Sequence, residues 1–195
     1  GSDPSDEDAL GALFEQHAAE LAVAARSMWR EIARAYDVAL VPGTLFAPVA
    51  HDGSEHLRNR LLLIDDDGSI VYRQDKVYLT PEESGMLGLE PGSLRKAKAV
   101  ELDGMRIGFT ICRDSYFPSW HRELADVDLW VDLRANGEPY TEEVYERFLR
   151  TLPRRVEEAG AVVGVNASLT GEFLGFVWEG PSYVVNQEAE RVAES

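Results

Sequence analysis

MRIGFTICRDSYFPSWHRELADVDLWVDLRA, residues 105–135, is the stretch that decides the fold. Met105 to Ile111 is an apolar run of strand length that stops at Cys112. RDSYFPSWHRELA then turns at Pro118 and continues as a helix, and Val127 to Leu133 is the next strand. Downstream, Thr141 to Ala159 has acidic residues early and arginines later, which predicts one helix. Ala161 to Val165 and Ser182 to Val185 follow as strands.

Upstream, Asp103-Gly104 is a turn between Met105–Ile111 and Ala99–Leu102, and DDDG joins Leu61–Ile64 to Ile70–Arg73 as a hairpin. VALVPGT predicts a short buried strand closed by Pro42-Gly43. Before it, Leu10, Leu13, Phe14, Leu21, Ala25, Met28, Trp29, Ile32 and Tyr36 recur at helical spacing, so one long amphipathic helix, capped by Ser5–Asp8 and ending near Asp37, is expected to cover a sheet. The whole is an α/β layered protein, helices outside and sheet inside. Thr80 to Ala97 is the longest stretch without periodicity, and loops of that length are often functional.

Composition narrows the function. The 195 residues are 45% hydrophobic and 28% charged, as expected of one well-filled globular domain, residues 3–195, with Gly1-Ser2 read as a tag remnant. Nineteen basic against 35 acidic residues give a net charge of -16, which repels phosphate backbones and anionic lipid, so nucleic acid and membrane are set aside as partners. No stretch approaches a membrane span or a signal peptide, and a cytoplasmic protein is expected. The single cysteine excludes a disulfide within the chain. His17 lies in the helix, His51 and His56 in a polar loop and His121 after Trp120, with no metal-ligand spacing among them, so no metal site is expected. Trp130, Trp178 and Phe173 read as core or pocket wall rather than a base-stacking platform.

Cys112 has two readings: a buried core thiol, or a thiolate stabilised at a strand end beside a helix start and the cation Arg113. Lys76, just past IVYRQD, is either a solvated charge or an oxyanion stabiliser oriented by Glu82 or Glu83. Arg113 and Arg134, with Asn136 beside them, are candidates to bind a substrate carboxylate; pairing of the arginines with Asp114 and Asp132 is the structural alternative.

YRQDKVYLTPEE, GMRIGFTICRDSYFP and RRVEEAGAVVGVNAS, in that order and separation, resemble the nitrilase superfamily of carbon-nitrogen hydrolases over about Ile32 to Val185. The resemblance implies a four-layer α-β-β-α sandwich, whole or in part, and a Glu-Lys-Cys triad that attacks an amide, carbamoyl or nitrile carbon without metal or organic cofactor. It matches Cys112 to the nucleophile, Lys76 to the catalytic lysine, and Glu83 to a supporting glutamate with Glu82 as rival. It also matches Arg155 and Glu158 to a helix that precedes a strand ending in Asn166. The family base, which follows a first strand, has no counterpart before Leu13, and Glu7, Glu15 and Glu20 are poor substitutes. Ser119 stands where the family has an acidic residue, and Arg134 where it more often has a small or polar one. The expected substrate is a small linear amide or carbamoyl compound and the expected assembly a homodimer or larger homo-oligomer. A catalytically silent scaffold or binding module and a thioester-using acyltransferase are the alternatives.

Overall fold

A computed structural model describes residues 4–51, 53–173 and 176–195, and divides into two units, residues 1–93 and 94–195. In the first unit, helix α1 (Pro4–Tyr36) precedes an antiparallel sheet of β1 (Thr44–His51), β2 (Ser54–Ile64) and β3 (Ile70–Asp75), in that order, followed by the short helix α2 (Pro81–Gly85). The DDDG hairpin forms as expected between β2 and β3. α1 locks onto its turn, because Arg30 Nε donates to the Gly68 carbonyl at 2.7 Å and Arg34 Nε to that of Asp67 at 2.6 Å.

α1 spans the expected length, and of its expected apolar face Phe14 stacks edge-on against Phe46 and Trp29 packs on the sheet, while the rest of the contact is made by other residues. Ala18, Ala22 and Ala33 are buried, and Ala33 packs with Leu62, Ile64, Trp29, Leu40, Leu45 and Ile70, whereas Leu13, Leu21, Met28, Ile32 and Tyr36 are exposed. Alanine lets the helix axis come close to the sheet, so the small residues take the contact that the larger ones were expected to make. The side chains of Ser5–Asp8, Leu10, Glu15, His51 and Phe173 lie outside the described residues.

VALVPGT does not form the expected strand. Leu40 makes an isolated bridge to Ile64, Val41 to Gly43 lie outside regular structure, and the strand begins at Thr44. Gly43, at φ 117, adopts a conformation open only to glycine, which lets the chain bulge and resume pairing. The following segment is a long hairpin instead of a polar loop: β1 pairs with β2 from Thr44↔Leu61 to His51↔Ser54, so His51 and His56 are strand residues.

The second unit holds a six-stranded sheet, in the order β11-β10-β7-β6-β5-β4. Its strands are β4 (Val100–Leu102), β5 (Met105–Ile111), β6 (Leu129–Ala135), β7 (Val163–Leu169), β10 (Tyr183–Asn186) and β11 (Arg191–Glu194), while β8 (Gly171–Phe173) and β9 (Phe176–Trp178) form a separate ribbon. β5, β6 and β7 run parallel, joined by α3 (Trp120–Glu123) and by α4 (Glu142–Phe148) with α5 (Leu152–Ala159). The expected single helix from Thr141 to Ala159 is therefore broken. Pro153 has no N–H to bond the carbonyl four residues back, and Thr151 N instead bonds the Phe148 carbonyl at 3.1 Å. At Gly164 a Cβ would meet Val156 Cγ2 at 2.5 Å, so glycine is what lets α5 lie close on β7. Among the described residues no helix is long and apolar enough to cross a membrane.

Candidate active site

Within the first unit the polar centre lies at the end of β3. Lys76, 3% exposed, pairs with Glu83 Oε2 at 2.7 Å. Two further donors reach the same carboxylate: Asn59 Nδ2 to Oε1 at 2.9 Å and the Thr80 N–H to Oε2 at 2.8 Å. Thr80 Oγ1 in turn accepts from the Glu83 N–H at 3.2 Å, so Thr80 and Glu83 form a capping box that starts α2 and turns the Glu83 carboxylate back toward Lys76. Glu82, next in sequence, is exposed. The backbone fastens the lysine at both ends, because its N–H donates to the Asn59 carbonyl at 2.8 Å and its carbonyl accepts from Gly92 N–H at 2.7 Å.

Asn59 is a member of this group that the sequence analysis passed over. It is the uncharged polar residue between Arg58 and Arg60 where the strand SEHLRNRLLLI passes into its apolar half, and it is buried. The capping pattern Thr80-Pro81-Glu82-Glu83 was also legible and selects Glu83 over Glu82.

Within the second unit Cys112 stands where β5 ends, as the first residue of a 3-10 turn through Tyr116. Its φ is 52, a left-handed conformation that costs an L-residue about 1–2 kcal/mol. The carboxyl ends of parallel strands are where α/β sheets place reacting groups. The thiol donates to the Ala135 carbonyl at the end of β6, at 3.6 Å, and is partly exposed. It is not the fully buried core thiol of the alternative reading.

Beneath the turn is a buried polar network. Trp130 Nε1 donates to Thr110 Oγ1 at 3.0 Å, and Thr110 Oγ1 to Asp132 Oδ1 at 2.8 Å. Arg134 Nη2 donates to Asp132 Oδ2 at 2.6 Å and to Ser115 Oγ at 2.8 Å, and its Nε reaches Asn166 Oδ1 at 3.3 Å. Ser115 Oγ donates to the Cys112 carbonyl at 2.9 Å. Asp114, fully buried, accepts the Ile111 N–H at 3.3 Å. Burial opposes the Arg134 charge, but Asp132 first, then Cys112, Tyr183 and Tyr116, outweigh it and hold the guanidinium above its usual range. Burial pushes the Asp132 carboxyl up, with Arg134 working against it.

The three substrate-binding candidates separate. Arg134 points into the network just described, with a side chain 2% exposed, and its guanidinium lies 4.3 Å from the Phe148 ring centroid. Asn136 spends its amide on the carbonyls of Glu138 (2.8 Å) and Glu179 (3.1 Å), which ties two loops together. Arg113 is partly exposed in the turn after Cys112. Arg155 and Glu158 meet at 2.8 Å on α5, while Asn166 lies inside β7 rather than at its end. His56 pairs with Glu90 at 2.7 Å. Among the described residues the one group of three metal-ligating side chains within mutual reach is Asp65, Asp66 and Asp67 on the β2–β3 turn.

The carbon-nitrogen hydrolase family profile matches residues 9–193, across both units. The chain is 32% identical over 135 residues to the omega-amidase YafV of Escherichia coli strain K12, covering 69% of this chain and 50% of that protein. It thus spans about half the length of the curated relatives it matches. An amidase from Nesterenkonia sp. AN1, solved as a cysteine-to-alanine form with butyramide, is 26% identical with a TM-score of 0.74, over 93% of this chain and 66% of that one. A glutamate-to-glutamine form of that amidase carries the acetamide moiety of fluoroacetamide covalently at its active-site cysteine. A carbon-nitrogen hydrolase from Helicobacter pylori G27 shares the fold, with a TM-score of 0.77 at 18% identity over 94% of this chain and 66% of that one.

Proposed function

The chain belongs to the carbon-nitrogen hydrolase family, and from that premise we propose that it serves the thiol-dependent hydrolysis of a non-peptide carbon-nitrogen bond in a small linear amide or carbamoyl compound. The observation that carries this reading is Cys112 itself: the only cysteine, held left-handed at the carboxyl end of β5, a strand parallel to β6, and partly exposed. In the proposed reaction the Cys112 sulfur attacks the amide carbon. The carbonyl π electrons move to oxygen, the C–N bond then breaks, and a general base carries the thiol proton to the leaving ammonia. Water next cleaves the thioester, giving the acid and returning a proton to the sulfur. Lys76 is assigned the developing oxyanion and Glu83 the task of holding Lys76, a division of labour supported by its pairing with the lysine, Asn59 and the Thr80 N–H. Arg113 is kept for an anionic group on the substrate, while Arg134 and Asn136 are given structural tasks. The scheme uses no cofactor.

Both units are assigned to one hydrolase-like domain over residues 3–195, a reading supported by the family match through 9–193. A homodimer or larger homo-oligomer and a cytoplasmic setting complete the proposal. In this scheme no carboxylate at either polar centre is assigned the part of the general base.

The test is ammonia release from a panel that includes butyramide, acrylamide and carbamoyl compounds, with intact-mass detection of an acyl adduct, on the parent and on Cys112→Ala. Turnover and an adduct in the parent alone support the reading. An adduct that passes to an added amine but not to water favours the acyltransferase. Neither adduct nor turnover on any member of the panel overturns the reading in favour of a silent scaffold.

A further inference from the structure

A nucleophile in a strained backbone conformation needs something to hold it there. The free energy stored at φ 52 would be released if the turn relaxed, so the neighbouring structure must over-determine the conformation. Within the second unit the groups that do so run inward from the Cys112 carbonyl. Ser115 Oγ donates to that carbonyl at 2.9 Å and accepts from Arg134 Nη2 at 2.8 Å. Arg134 cannot swing away. Asp132 holds the same nitrogen at 2.6 Å, Asn166 accepts from Nε at 3.3 Å, and the Phe148 ring covers the guanidinium at 4.3 Å. Asp132 is fixed in turn by Thr110, and Thr110 by Trp130. Thr110, Asp132, Arg134, Ser115 and Asn166 are all buried polar residues, and among them a broken link leaves an unpaired group with little water to replace the partner.

We propose that Arg134 is a positioning residue for Cys112: anchored by Asp132 and Asn166, it orients the Ser115 hydroxyl, and that hydroxyl holds the Cys112 carbonyl so that the residue stays left-handed with its sulfur turned out at the end of β5. Arg134 touches no reacting atom. Its guanidinium polarises the Ser115 hydroxyl, which makes that hydroxyl a stronger donor to the carbonyl than an isolated serine would be. The ion pair inside β6 thereby has a task beyond packing, which accounts for a charged pair kept where two apolar residues of similar volume would cost no more. The inference rests on Cys112 being the nucleophile proposed above.

The experiment reads the reactivity of the sulfur without needing a substrate. Because Cys112 is the only cysteine, alkylation by iodoacetamide followed by intact mass reports on it alone. Parent, Ser115→Ala, Ser115→Thr, Asp132→Asn and Leu152→Ala are compared, the last as a variant destabilised in the same unit without touching the chain of bonds. The expected result is a parent that alkylates faster than the urea-unfolded chain, a fall of about tenfold in Ser115→Ala and Asp132→Asn, return toward the parent rate in Ser115→Thr, and no change in Leu152→Ala. Folded Ser115→Ala and Asp132→Asn at the parent rate would overturn the relay while leaving the nucleophile in place. A Leu152→Ala rate that falls with the others would overturn it too, since general loosening would then explain the effect. A parent no faster than its unfolded chain takes down the nucleophile reading itself, and the relay with it. If Ser115→Ala does not fold, Asp132→Asn alone decides.

Discussion

Lys76 and Glu83 are joined at 2.7 Å with side chains only 3% and 12% exposed, seven residues apart along the chain and across the loop from β3 to α2. The two side chains are shielded from water together, so each is the other's main electrostatic partner. Breaking such a pair by removing one partner leaves a buried charge uncompensated and typically costs about 3–5 kcal/mol. Glu83→Gln keeps the shape and the acceptor for Asn59 but removes the charge. Urea denaturation is expected to show a loss of about that size, and Lys76→Met/Glu83→Gln should recover part of it. A double variant no more stable than the single one would mean that charge compensation is not the main contribution of Glu83.

The left-handed conformation of Cys112 predicts an unusual order among its variants. Glycine adopts φ 52 freely, so Cys112→Gly should be more stable than Cys112→Ala by about 1 kcal/mol, and Cys112→Val less stable than either. Thermal unfolding of the three decides. At an ordinary strand end glycine would be the least stable.

Asn136 holds the segment after β6 against the segment before β10. Asn136→Asp replaces a donor by an acceptor facing the carbonyls of Glu138 and Glu179, at an expected cost of about 1–3 kcal/mol. Hydrogen exchange should quicken at the N–H groups of Glu179, which donates to the Asn136 carbonyl at 3.1 Å, and of Tyr140, which donates to the Glu179 carboxylate at 2.7 Å. Protection unchanged at both sites would show that the two segments hold together without this amide.

Tyr183 makes stability fall at high pH. Burial, partly offset by the nearby Arg134, pushes its phenol up to about 12 from an ordinary value of 10.0. The folded state therefore keeps a proton that the unfolded chain loses, and the contribution, complete below pH 10, disappears as the pH rises toward 12. Unfolding free energies measured through this window should drop more steeply in the parent than in Tyr183→Phe, by up to about 1.4 kcal/mol per pH unit. Parallel curves would place the phenol in contact with solvent.

Local pattern was enough wherever one element's own residues decide its form. The hairpin around DDDG, the strand from Met105 to Ile111 and the turn at Cys112 follow from apolar runs bounded by turn residues, and each forms where expected. The break in the helix at Thr151 was also written locally, in Pro153. The β1–β2 hairpin was harder to see, because residues 51–56 carry no apolar side chain and an antiparallel ribbon needs only backbone pairing to extend beyond its apolar part.

From the sequence by itself came the chemistry available: one thiol at a strand end, one lysine past another strand, two glutamates six and seven positions on, and a family resemblance that ties them together. Only tertiary structure decided which polar residues are engaged and with whom. Arg134 and Arg113 are alike as letters, yet one is sealed against Asp132, Ser115 and Asn166 and the other is partly exposed. Asn59 joins Glu83 from 24 residues away, and Asn136 joins Glu179 from 43. The reason is physical: a turn or a strand is set by steric preferences and hydrophobic period within a few residues, whereas the partner of a buried polar group is set by which strands lie side by side, and strand order is a property of the whole sheet.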